Sequence, residues 1–388
     1  MKKILALLLV LCMAVSLVAC GGSEKAPEAA APAESASEYK VAMVTDYGDI
    51  TDQSFNQTTW EAVIKFGEDN GVEYKYYKPT SNDTAGRVAS VELAIAEGYN
   101  VIVMPGYAFG GTIAEVSGNY PEIKFIALDV AAGDLLETGV ALKGESYDYN
   151  PDNWNLTDYV YMDNVYCAIY QEELSGYMAG YAAVKLGYTK LGFLGGMAVP
   201  AVIRFGYGYV QGADAAAAEM GVDIEINYTY GGQFFGDANI TAKMEGWYAA
   251  GTEVVFACGG GIYTSAVEAA KNHDGKVIGV DVDQSYIDEC IITSAMKQLQ
   301  NVTETVLEAL NKGEFATYGG KISNFSLAEG EYVGLPTAAD SWRLSTFTVE
   351  EYEALKAQLA DGTIVVDNNS DDAVKPTVSE NTTVNYIG

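Results

Sequence analysis

An α/β fold of two Rossmann-like lobes with parallel sheets is predicted by the alternation of short apolar runs with helical segments from residue 39 onward. A β-α-β order requires parallel strands that are covered by helices. The alternation occurs twice, over 39–130 and 190–283, with a helical segment between the two series. Roughly 350 residues of globular sequence also exceed what one hydrophobic core usually holds. These observations predict two lobes with a ligand cleft between them.

Six runs rich in Val, Ile and Phe end in Gly, Pro or Asp, which is typical of buried strands followed by turns. These predicted strands are 39–45, 100–106, 124–130, 190–196, 252–260 and 275–283. The segments between them have helical periodicity, and many stop at Gly. The predicted helices are 55–71, 84–98, 110–120, 173–187, 210–221, 239–251 and 264–275.

The later part of the chain is expected to return to both lobes. Residues 290–313 predict a short strand and a helix, and residues 348–366 predict a helix followed by a strand. The first lobe is accordingly assigned 39–165 plus 291–328, and the second lobe 166–290 plus 329–388.

The N-terminus has the features of a lipoprotein signal peptide. Lys2 and Lys3 precede an apolar run, and the sequence LVAC closes that run at Cys20. The run is shorter than the ~20 apolar residues that a membrane-spanning helix needs. Residues 1–20 are therefore predicted to be a signal peptide that ends in a lipidated Cys20, with an uncleaved anchor or a chance cysteine as the alternative. Residues 21–38, rich in Gly, Ser, Pro, Ala and Glu, are predicted to be a disordered tether. This arrangement anchors the folded part to the outer side of the cytoplasmic membrane.

Charge and composition exclude several classes of function. A formal net charge of −31 argues against a nucleic-acid partner, because phosphates would be repelled. After Cys20, the cysteines Cys167, Cys258 and Cys290 are odd in number and widely spaced, so they indicate neither a disulfide framework nor a zinc site. The one histidine, His273, lies in the hydrophilic stretch KNHDGK and is interpreted as an exposed turn residue. No cofactor and no metal are predicted.

One segment, 143–166, is dense in Tyr, Asp and Asn and fits the alternation poorly. It is interpreted as a solvated loop or a β-hairpin insertion, with a cleft-lining or cleft-covering segment as the alternative. Asp148, Asn150 and Asp152 alternate as in a calcium-binding loop, but the central Gly and the closing Glu of such a loop are missing.

Carboxylates recur at the carboxyl ends of the predicted strands, where ligands meet open parallel sheets. These strand ends hold Asp46, Pro105 to Tyr107, Asp129, Gly195, Gly259 to Gly261, Asp281 and Asp283. An ionised carboxylate only accepts hydrogen bonds. The ligand should therefore carry donors such as hydroxyl, amide or exocyclic amine groups, and it should not carry phosphate. Some of these aspartates could instead cap the helices that follow.

An aromatic ring is predicted at the cleft end of the first helix. Ser54 and Gln57 have the spacing of a capping box, which makes Ser54 the N-cap and Phe55 the first helical residue. Phe55 lies off the apolar stripe of that helix, so its ring can stack on a planar ligand group. Packing against Phe66 is the alternative. Phe205 occupies the corresponding loop-to-helix region of the second lobe, and the two rings could hold a flat ligand between the lobes.

Six segments resemble successive signature segments of the basic membrane protein (BMP) family, the purine-nucleoside-receptor-like lipoproteins. They are TDYGDITDQSFNQTTWEAV, ELSGYMAGYAAV, LGFLGGMAVPAVIRFGYGYVQGA, VVFACGGG, IGVDVDQ and ITSAMK. The resemblance follows the chain in order over nearly all of 39–366. It implies a type I periplasmic-binding-protein fold, a monomer without catalytic activity, a nucleoside ligand, and delivery of that ligand to an ABC transporter permease.

The resemblance also implies roles for residues at the base end of the site. The base would stack between Phe55 and Phe205, and Asp46 and Asp129 would accept hydrogen bonds from its edge. Tyr47 stands where the family often has a polar residue, which leaves the base preference open.

At the sugar end, the resemblance implies that Asp281 and Lys297 hold the ribose hydroxyls. Gly260 would bring backbone close to the ligand, and Asn56 completes the predicted ligand-binding set. Lys297 begins a helical segment, and a side chain there could instead extend to solvent.

Other classes of function remain open from the sequence. The same fold could bind a sugar or an autoinducer, since carboxylates and aromatic rings also suit polyols, or it could signal to a membrane kinase. An enzyme is not expected, because GFLGGM and GGGIYT do not match the dinucleotide-binding pattern G-x-G-x-x-G. Asp46, Asp49 and Asp52 could be mistaken for the metal-binding aspartates of a nucleoside hydrolase.

Overall fold

The computed structural model of this protein describes residues 38–388. The predicted signal peptide, the lipidation of Cys20 and the tether up to residue 37 lie outside these residues. Within residues 38–388, no helix has both the length and the apolar character needed to cross a membrane.

The first lobe is built on a six-stranded sheet in which every pair of neighbouring strands is parallel. Its strands are β1 (Lys40–Val44), β2 (Glu73–Tyr77), β3 (Val101–Pro105), β4 (Lys124–Leu128), β5 (Val165–Tyr170) and β11 (Lys321–Phe325), in the spatial order β11-β5-β4-β3-β1-β2. Its helices are α1 (Phe55–Asn70), α2 (Thr84–Ala96), α3 (Phe109–Val116), α4 (Ala132–Leu142) and α9 (Leu299–Asn311). Strands β1, β3 and β4 are almost entirely buried, as the β-α-β pattern requires, whereas the edge strand β2 is largely exposed.

The second lobe is built on a seven-stranded sheet that is parallel except for its short edge strand β12. Its strands are β6 (Lys190–Gly195), β7 (Ile224–Tyr230), β8 (Val254–Cys258), β9 (Lys276–Asp281), β10 (Ile291–Lys297), β12 (Val333–Gly334) and β13 (Thr382–Tyr386), in the order β12-β10-β9-β8-β6-β7-β13. Its helices are α5 (Glu172–Lys185), α6 (Pro200–Met220), α7 (Ala238–Ala249), α8 (Tyr263–Asn272) and α10 (Val349–Ala360). The predicted architecture of two parallel sheets is therefore confirmed.

The chain crosses between the sheets later than the predicted boundaries. Strand β5 pairs with β4 in the first sheet, so the first crossing follows Tyr170 and does not lie at 165/166. Strand β10 pairs with β9 in the second sheet, so the next crossing follows Lys297 and does not lie at 290/291. In both cases a buried apolar strand completes one sheet before the chain passes to the other.

The C-terminal segment also differs from the prediction. Residues 364–366 form no strand, although Ile364 and Val366 pack against the core as irregular chain. Strand β13 was missed, because its sequence TTVNY is short and half polar. It pairs in parallel with the edge strand β7, from Thr382 opposite Ile224 to Tyr386 opposite Tyr228.

Helices α5 and α6 meet at their backbones. A Cβ atom on Gly208 of α6 would overlap the carbonyl of Glu173 on α5, and one on Gly176 of α5 would overlap the carbonyl of Phe205. Glycine is therefore required where the two helices cross most closely. This close packing sets the start of α5 beside Arg204 and Phe205 on α6.

The tyrosine-rich segment is a loop packed on α4. It contains two short 3₁₀ turns, Pro151–Asn153 and Leu156–Asp158, and no strand before Val165, so the hairpin alternative is wrong. The indole N–H of Trp154 donates to Asp148 Oδ1 at 2.7 Å. The Asp148 carboxylate thus serves to order the loop, and in residues 38–388 no group of three or more His, Cys, Asp or Glu side chains could hold a metal ion.

Candidate functional site

A cavity of about 600 Å³ is lined by residues of both lobes, at the carboxyl ends of their strands. All nine residues that the sequence analysis selected lie in its wall. They are Asp46, Tyr47, Phe55, Asn56, Asp129, Phe205, Gly260, Asp281 and Lys297. The tyrosine-rich loop contributes no residue to this wall. The volume is within the range of small-molecule binding sites, which is roughly 300–1,000 Å³.

Two phenylalanine rings, one from each lobe, border the cavity beside a buried ammonium group. The Lys297 Nζ atom lies 4.8 Å from the centre of the Phe55 ring and 5.6 Å from that of Phe205. Phe205 is fixed from behind by an edge-to-face contact with Phe256, with ring centres 5.9 Å apart. Phe66 is buried in the core, whereas the Phe55 ring forms part of the cavity wall.

The start of α1 is capped differently from the prediction. Ser54 is the N-cap, but its hydroxyl makes no cap bond, and the capping-box interpretation of Ser54 and Gln57 is wrong. The Asp52 carboxylate caps the helix instead, since it accepts the backbone N–H groups of Ser54, Asn56 and Gln57 at 2.9–3.0 Å. The Ser54 hydroxyl is thereby free to donate to Asp281 Oδ2 at 2.5 Å, across the cleft.

Asp46 provides acceptors at another part of the cavity. Its Oδ1 atom accepts the backbone N–H groups of Tyr47 and Gly48 at 2.9 and 2.8 Å and the amide of Asn56 at 3.2 Å. The buried Asn56 Oδ1 atom has no hydrogen-bond partner. Asp49 pairs with Lys78 at the exposed rim. The three aspartates that could suggest a metal cluster thus have protein partners: Asp46 and Asp52 both accept from the Asn56 amide, and Asp49 pairs with a lysine.

A buried cluster of charges forms around Lys297, whose side chain is only 2% exposed. The Nζ atom lies 2.5 Å from Asp129 Oδ2, 3.3 Å from Glu172 Oε1 and 3.8 Å from Asp281 Oδ1. Lys297 therefore does not extend to solvent. An ammonium group has three N–H donors, and the Asp281 distance is too long for a hydrogen bond. One donor thus remains for a ligand, and Asp129 Oδ1 is a buried acceptor without a partner.

Burial shifts the protonation equilibria of this cluster. It raises the pKa of Asp129 to about 7, with Glu172 and Asp281 adding to the rise and Lys297 opposing it. Burial also raises the pKa of Asp281, against the opposing effects of Lys297 and the Ser54 hydroxyl. For Lys297, burial disfavours the charge, but the three carboxylates outweigh it and hold the pKa of the ammonium above its usual value.

Glu172 and Arg204 belong to the same cluster and were missed by sequence reasoning. The Arg204 Nε atom lies 2.7 Å from Glu172 Oε2 and 4.0 Å from Glu173 Oε2. Burial alone would raise the pKa of Glu172, but Arg204 and Lys297 outweigh it and hold that pKa below its usual value. The available signal was the single arginine in the apolar helix sequence PAVIRFGYGY, where a charge needs a buried partner.

Backbone conformation marks the same positions. Asp129 and Asp281, at the ends of β4 and β9, have φ of +58° and +66°. Residues other than glycine seldom adopt this left-handed backbone conformation. Such strain clusters at ligand sites. Gly260 has φ of +50°, and a Cβ atom there would approach the carbonyl of Phe234 to 2.9 Å. The loop that contains Phe234 can therefore reach the cavity only beside a glycine.

Direct hydrogen bonds join the lobes at the cavity edge. The Gln284 amide donates to the Gln53 carbonyl at 2.9 Å, and the Tyr286 hydroxyl donates to Gln53 Oε1 at 2.5 Å. With the bond between Ser54 and Asp281, they connect the loop before α1 to the segment after β9. The structure is thus a closed arrangement of the two lobes.

Comparison with known proteins agrees with this architecture. The family model described as ABC transporter substrate-binding protein, PnrA-like, matches residues 39–370. The ABC transporter nucleoside-binding protein BmpA of Lactococcus lactis is 28% identical over 353 residues, which cover 85% of this chain and 89% of that protein. Basic membrane protein B of Borreliella burgdorferi is 28% identical over 310 residues, which cover 78% of this chain and 82% of that protein.

Among solved structures, a solute-binding protein of an ABC transporter system from Aeropyrum pernix superposes with a TM-score of 0.70 at 22% identity, covering 86% of this chain and 95% of that one. This likeness confirms the predicted type I periplasmic-binding-protein fold. The family match spans both lobes, and the family consists of substrate-binding proteins. The chain therefore belongs to the PnrA-like family of ABC transporter substrate-binding proteins, the BMP family whose signature segments its sequence resembles.

Proposed function

We propose that this protein binds a nucleoside, with purine nucleosides preferred, and delivers it to an ABC transporter permease. The observation that carries the proposal is the Lys297 ammonium, which lies beside the Phe55 and Phe205 rings and next to Asp129, whose Oδ1 atom has no partner. A flat base and a polyhydroxylated sugar need this combination of rings, one donor and several acceptors. Family membership supports the permease as partner.

The sugar would bind at the charged end of the cavity. The 3.8 Å gap between Lys297 Nζ and Asp281 Oδ1 suits a hydroxyl group that accepts from the ammonium and donates to a carboxylate. The contacts of Asp129 are with Lys297, so we assign Asp129 to this end together with Asp281. This differs from the base-edge role that the resemblance implied for Asp129.

The base would stack between the two phenylalanine rings. Stacking on an aromatic side chain contributes roughly 1–3 kcal/mol for each base. Asp46 and the unpartnered Asn56 Oδ1 atom offer acceptors to amino or ring N–H groups of the base. Tyr47, beside Asp46 in the wall, would then contact the base edge or its substituents.

Phosphorylated ligands should be rejected. Five carboxylates line the cavity, at Asp46, Asp49, Asp52, Asp129 and Asp281. Lys297 is already paired with Asp129, and Lys78 at the rim is paired with Asp49. A phosphate would therefore meet carboxylates without a free cation in this wall, which favours nucleosides over nucleotides.

The remaining parts of the proposal concern location and assembly. We propose that the mature protein is a monomer that a lipid on Cys20 anchors outside the cytoplasmic membrane. The LVAC sequence supports the lipid. Lipidation of Cys20 is tested by metabolic labelling of the natural chain and of Cys20→Ala with an alkyne fatty acid. Equal labelling of both chains would refute lipidation at Cys20.

The ligand is tested by thermal shift of the purified protein against nucleosides, nucleobases, nucleoside 5′-monophosphates and free sugars. A ligand that binds only the folded state raises Tm. We expect a rise with adenosine, guanosine or inosine and none with their monophosphates. A rise with free sugars alone would replace the nucleoside by another polyol, and a rise with monophosphates would contradict the electrostatic argument.

A further inference from the structure

We propose that Glu172 and Arg204 are positioning residues of the ligand site, although neither lines the cavity. Glu172 holds the Lys297 ammonium away from Asp281, and Arg204 holds Glu172 in place. The inference rests on the proposed function, because the affinity that reports it is that for a nucleoside.

The contacts of Glu172 define this role. Its side chain is fully buried, and its two oxygens serve different cations: Oε1 lies 3.3 Å from Lys297 Nζ, and Oε2 lies 2.7 Å from Arg204 Nε. Glu172 is the first residue of α5, directly after the chain crosses from the first lobe. Its backbone is fixed there, because the preceding Gln171 N–H donates to the Phe325 carbonyl at 2.9 Å.

Arg204 adds rigidity that a flexible side chain would not. A guanidinium group is planar and presents its N–H donors in a fixed fork. Arg204 projects from α6, and the glycine-mediated contact between α5 and α6 sets the distance between the two helices. The position of the Glu172 carboxylate is thus determined by the fold.

The consequence for Lys297 follows from its flexibility. A lysine ammonium moves on a four-carbon chain toward the strongest acceptors. Without Glu172, the carboxylates of Asp129 and Asp281 alone would attract it, and the 3.8 Å gap to Asp281 Oδ1 would close to a direct hydrogen bond. Both the third N–H donor and that carboxylate oxygen would then be lost to a ligand hydroxyl.

Stability alone does not account for this pair. Buried ion pairs are costly to desolvate, and apolar side chains of similar volume often replace them without loss of stability. Six ionisable groups nevertheless meet here: four carboxyl groups and two cations, from Asp129, Glu172, Glu173, Asp281, Arg204 and Lys297. Groups behind a binding site commonly orient the groups that touch the ligand.

The pH dependence of binding gives a readout that a structural role would not move. The charged and titratable groups around Asp129 and Lys297 are Glu172, Asp281, Arg204, Tyr170 and Cys258. The Glu172 charge raises the pKa of Asp129. Removing that charge lowers the pKa, so the loss of binding on acidification should move to lower pH.

The experiment compares Glu172→Gln with the control Glu219→Gln, in the full-length protein. Glu219 lies on α6, as Arg204 does, but it pairs with Lys185 and is not part of the cavity wall. Calorimetry from pH 5 to pH 9 measures the Kd of adenosine, guanosine and inosine. At pH 8 we expect Glu172→Gln to weaken binding about tenfold or more, as for loss of a hydrogen bond to a charged group. Glu219→Gln should stay within about twofold, since Glu219 pairs with Lys185 and does not line the cavity.

Glu172→Asp provides a second test, also where Glu172→Gln fails to fold. It keeps the charge beside Arg204 but draws the carboxylate back from Lys297. We expect this variant to lose binding on acidification at the same pH as the wild-type protein. Its affinity at pH 8 should be weaker than that of the wild-type protein. Wild-type affinity in both Glu172 variants, together with loss of binding by Glu172→Gln at the same acidic pH as in the wild-type protein, would overturn the inference. The proposed function would still stand. Absence of nucleoside binding by the wild-type protein would overturn both.

Discussion

Replacing Asp129 by asparagine should stabilise the ligand-free protein while weakening ligand binding. Burial raises the pKa of Asp129 to about 7, whereas the same carboxyl ionises near 3.8 in the unfolded chain. Above pH 7 the folded state must therefore keep a charge that the unfolded state carries more easily. The difference corresponds to roughly 4 kcal/mol of unfolding free energy, as an upper bound.

The sign of the pH dependence follows from the same values. Well below pH 3.8 the Asp129 carboxyl is protonated in both states, so the natural chain and Asp129→Asn should be equally stable with respect to this group. As the pH rises from about 4 to about 7, the unfolded state ionises first, and the natural chain loses stability relative to the variant. Above pH 7 the difference in unfolding free energy between the variant and the natural chain reaches its full value. It corresponds to a Tm that is up to about 8 °C higher in the variant, if 1 kcal/mol corresponds to about 2 °C.

Ligand affinity should change in the opposite direction. The amide of Asp129→Asn can still accept from Lys297, but it then presents N–H donors where Asp129 Oδ1 offers an unpartnered acceptor. Losing a hydrogen bond to a charged group costs about 1.5–3 kcal/mol, or roughly 10- to 100-fold in Kd.

The assay is Tm of the natural chain and the variant at pH 5 and pH 8, followed by titration with the nucleoside that gives the largest shift. Asp69→Asn is the control, because Asp69 pairs with Lys65 on the exposed face of α1 and does not line the cavity. It should change unfolding free energy by less than about 1 kcal/mol. A Tm at pH 8 that falls in Asp129→Asn would refute the reasoning, since the carboxylate would then be a net stabilising group.

Other predictions concern the rings, the contacts between the lobes and the cap of α1. Phe55→Ala should weaken nucleoside binding about 5- to 150-fold, because stacking contributes roughly 1–3 kcal/mol, and Phe55→Trp should largely preserve it; equal Kd values by calorimetry would remove the ring from the site. Tyr286→Phe deletes the donor to Gln53 Oε1, so the Kd should rise several-fold and small-angle scattering should show a larger radius of gyration without ligand. Unchanged scattering and Kd would mean that this bond does not hold the lobes together. Asp52→Ala should lower unfolding free energy by about 1–2 kcal/mol, and Ser54→Ala should lower it less, because Asp52 accepts the N–H groups of α1. The reverse order of Tm values would restore the capping-box interpretation.

The sequence predicted the sheets well where apolar runs are long and flanked by turn residues. The runs around Val101–Pro105 and Val254–Cys258 are fully buried strands in the structure. It failed for strands whose residues are partly polar, such as Glu73–Tyr77 and Thr382–Tyr386, because their pairing depends on neighbours distant in sequence. The crossings between the lobes were misplaced although β5 and β10 are buried, because a sequence pattern does not show which sheet a strand joins.

The candidate site shows a similar division. Strand ends and the start of a helix can be located from sequence, so Asp46, Asp281 and Phe55 were found in the cavity wall. Partners across the cleft cannot be located in this way. The capping-box spacing of Ser54 did not reveal that its hydroxyl faces Asp281, 227 positions away. Glu172 was overlooked because its partners come from two other elements.

Strand β13 has a practical consequence for work with this protein. The family match ends at residue 370, whereas β13 lies beyond it and covers the outer edge of the second sheet. A protein shortened to the limits of the family match would expose the backbone groups of β7 that pair with β13, over Ile224 to Tyr228. Such an open edge is a template for pairing with other chains. Aggregation of the shortened protein would then reflect a lost edge strand, and it would say nothing about whether the ligand site had formed.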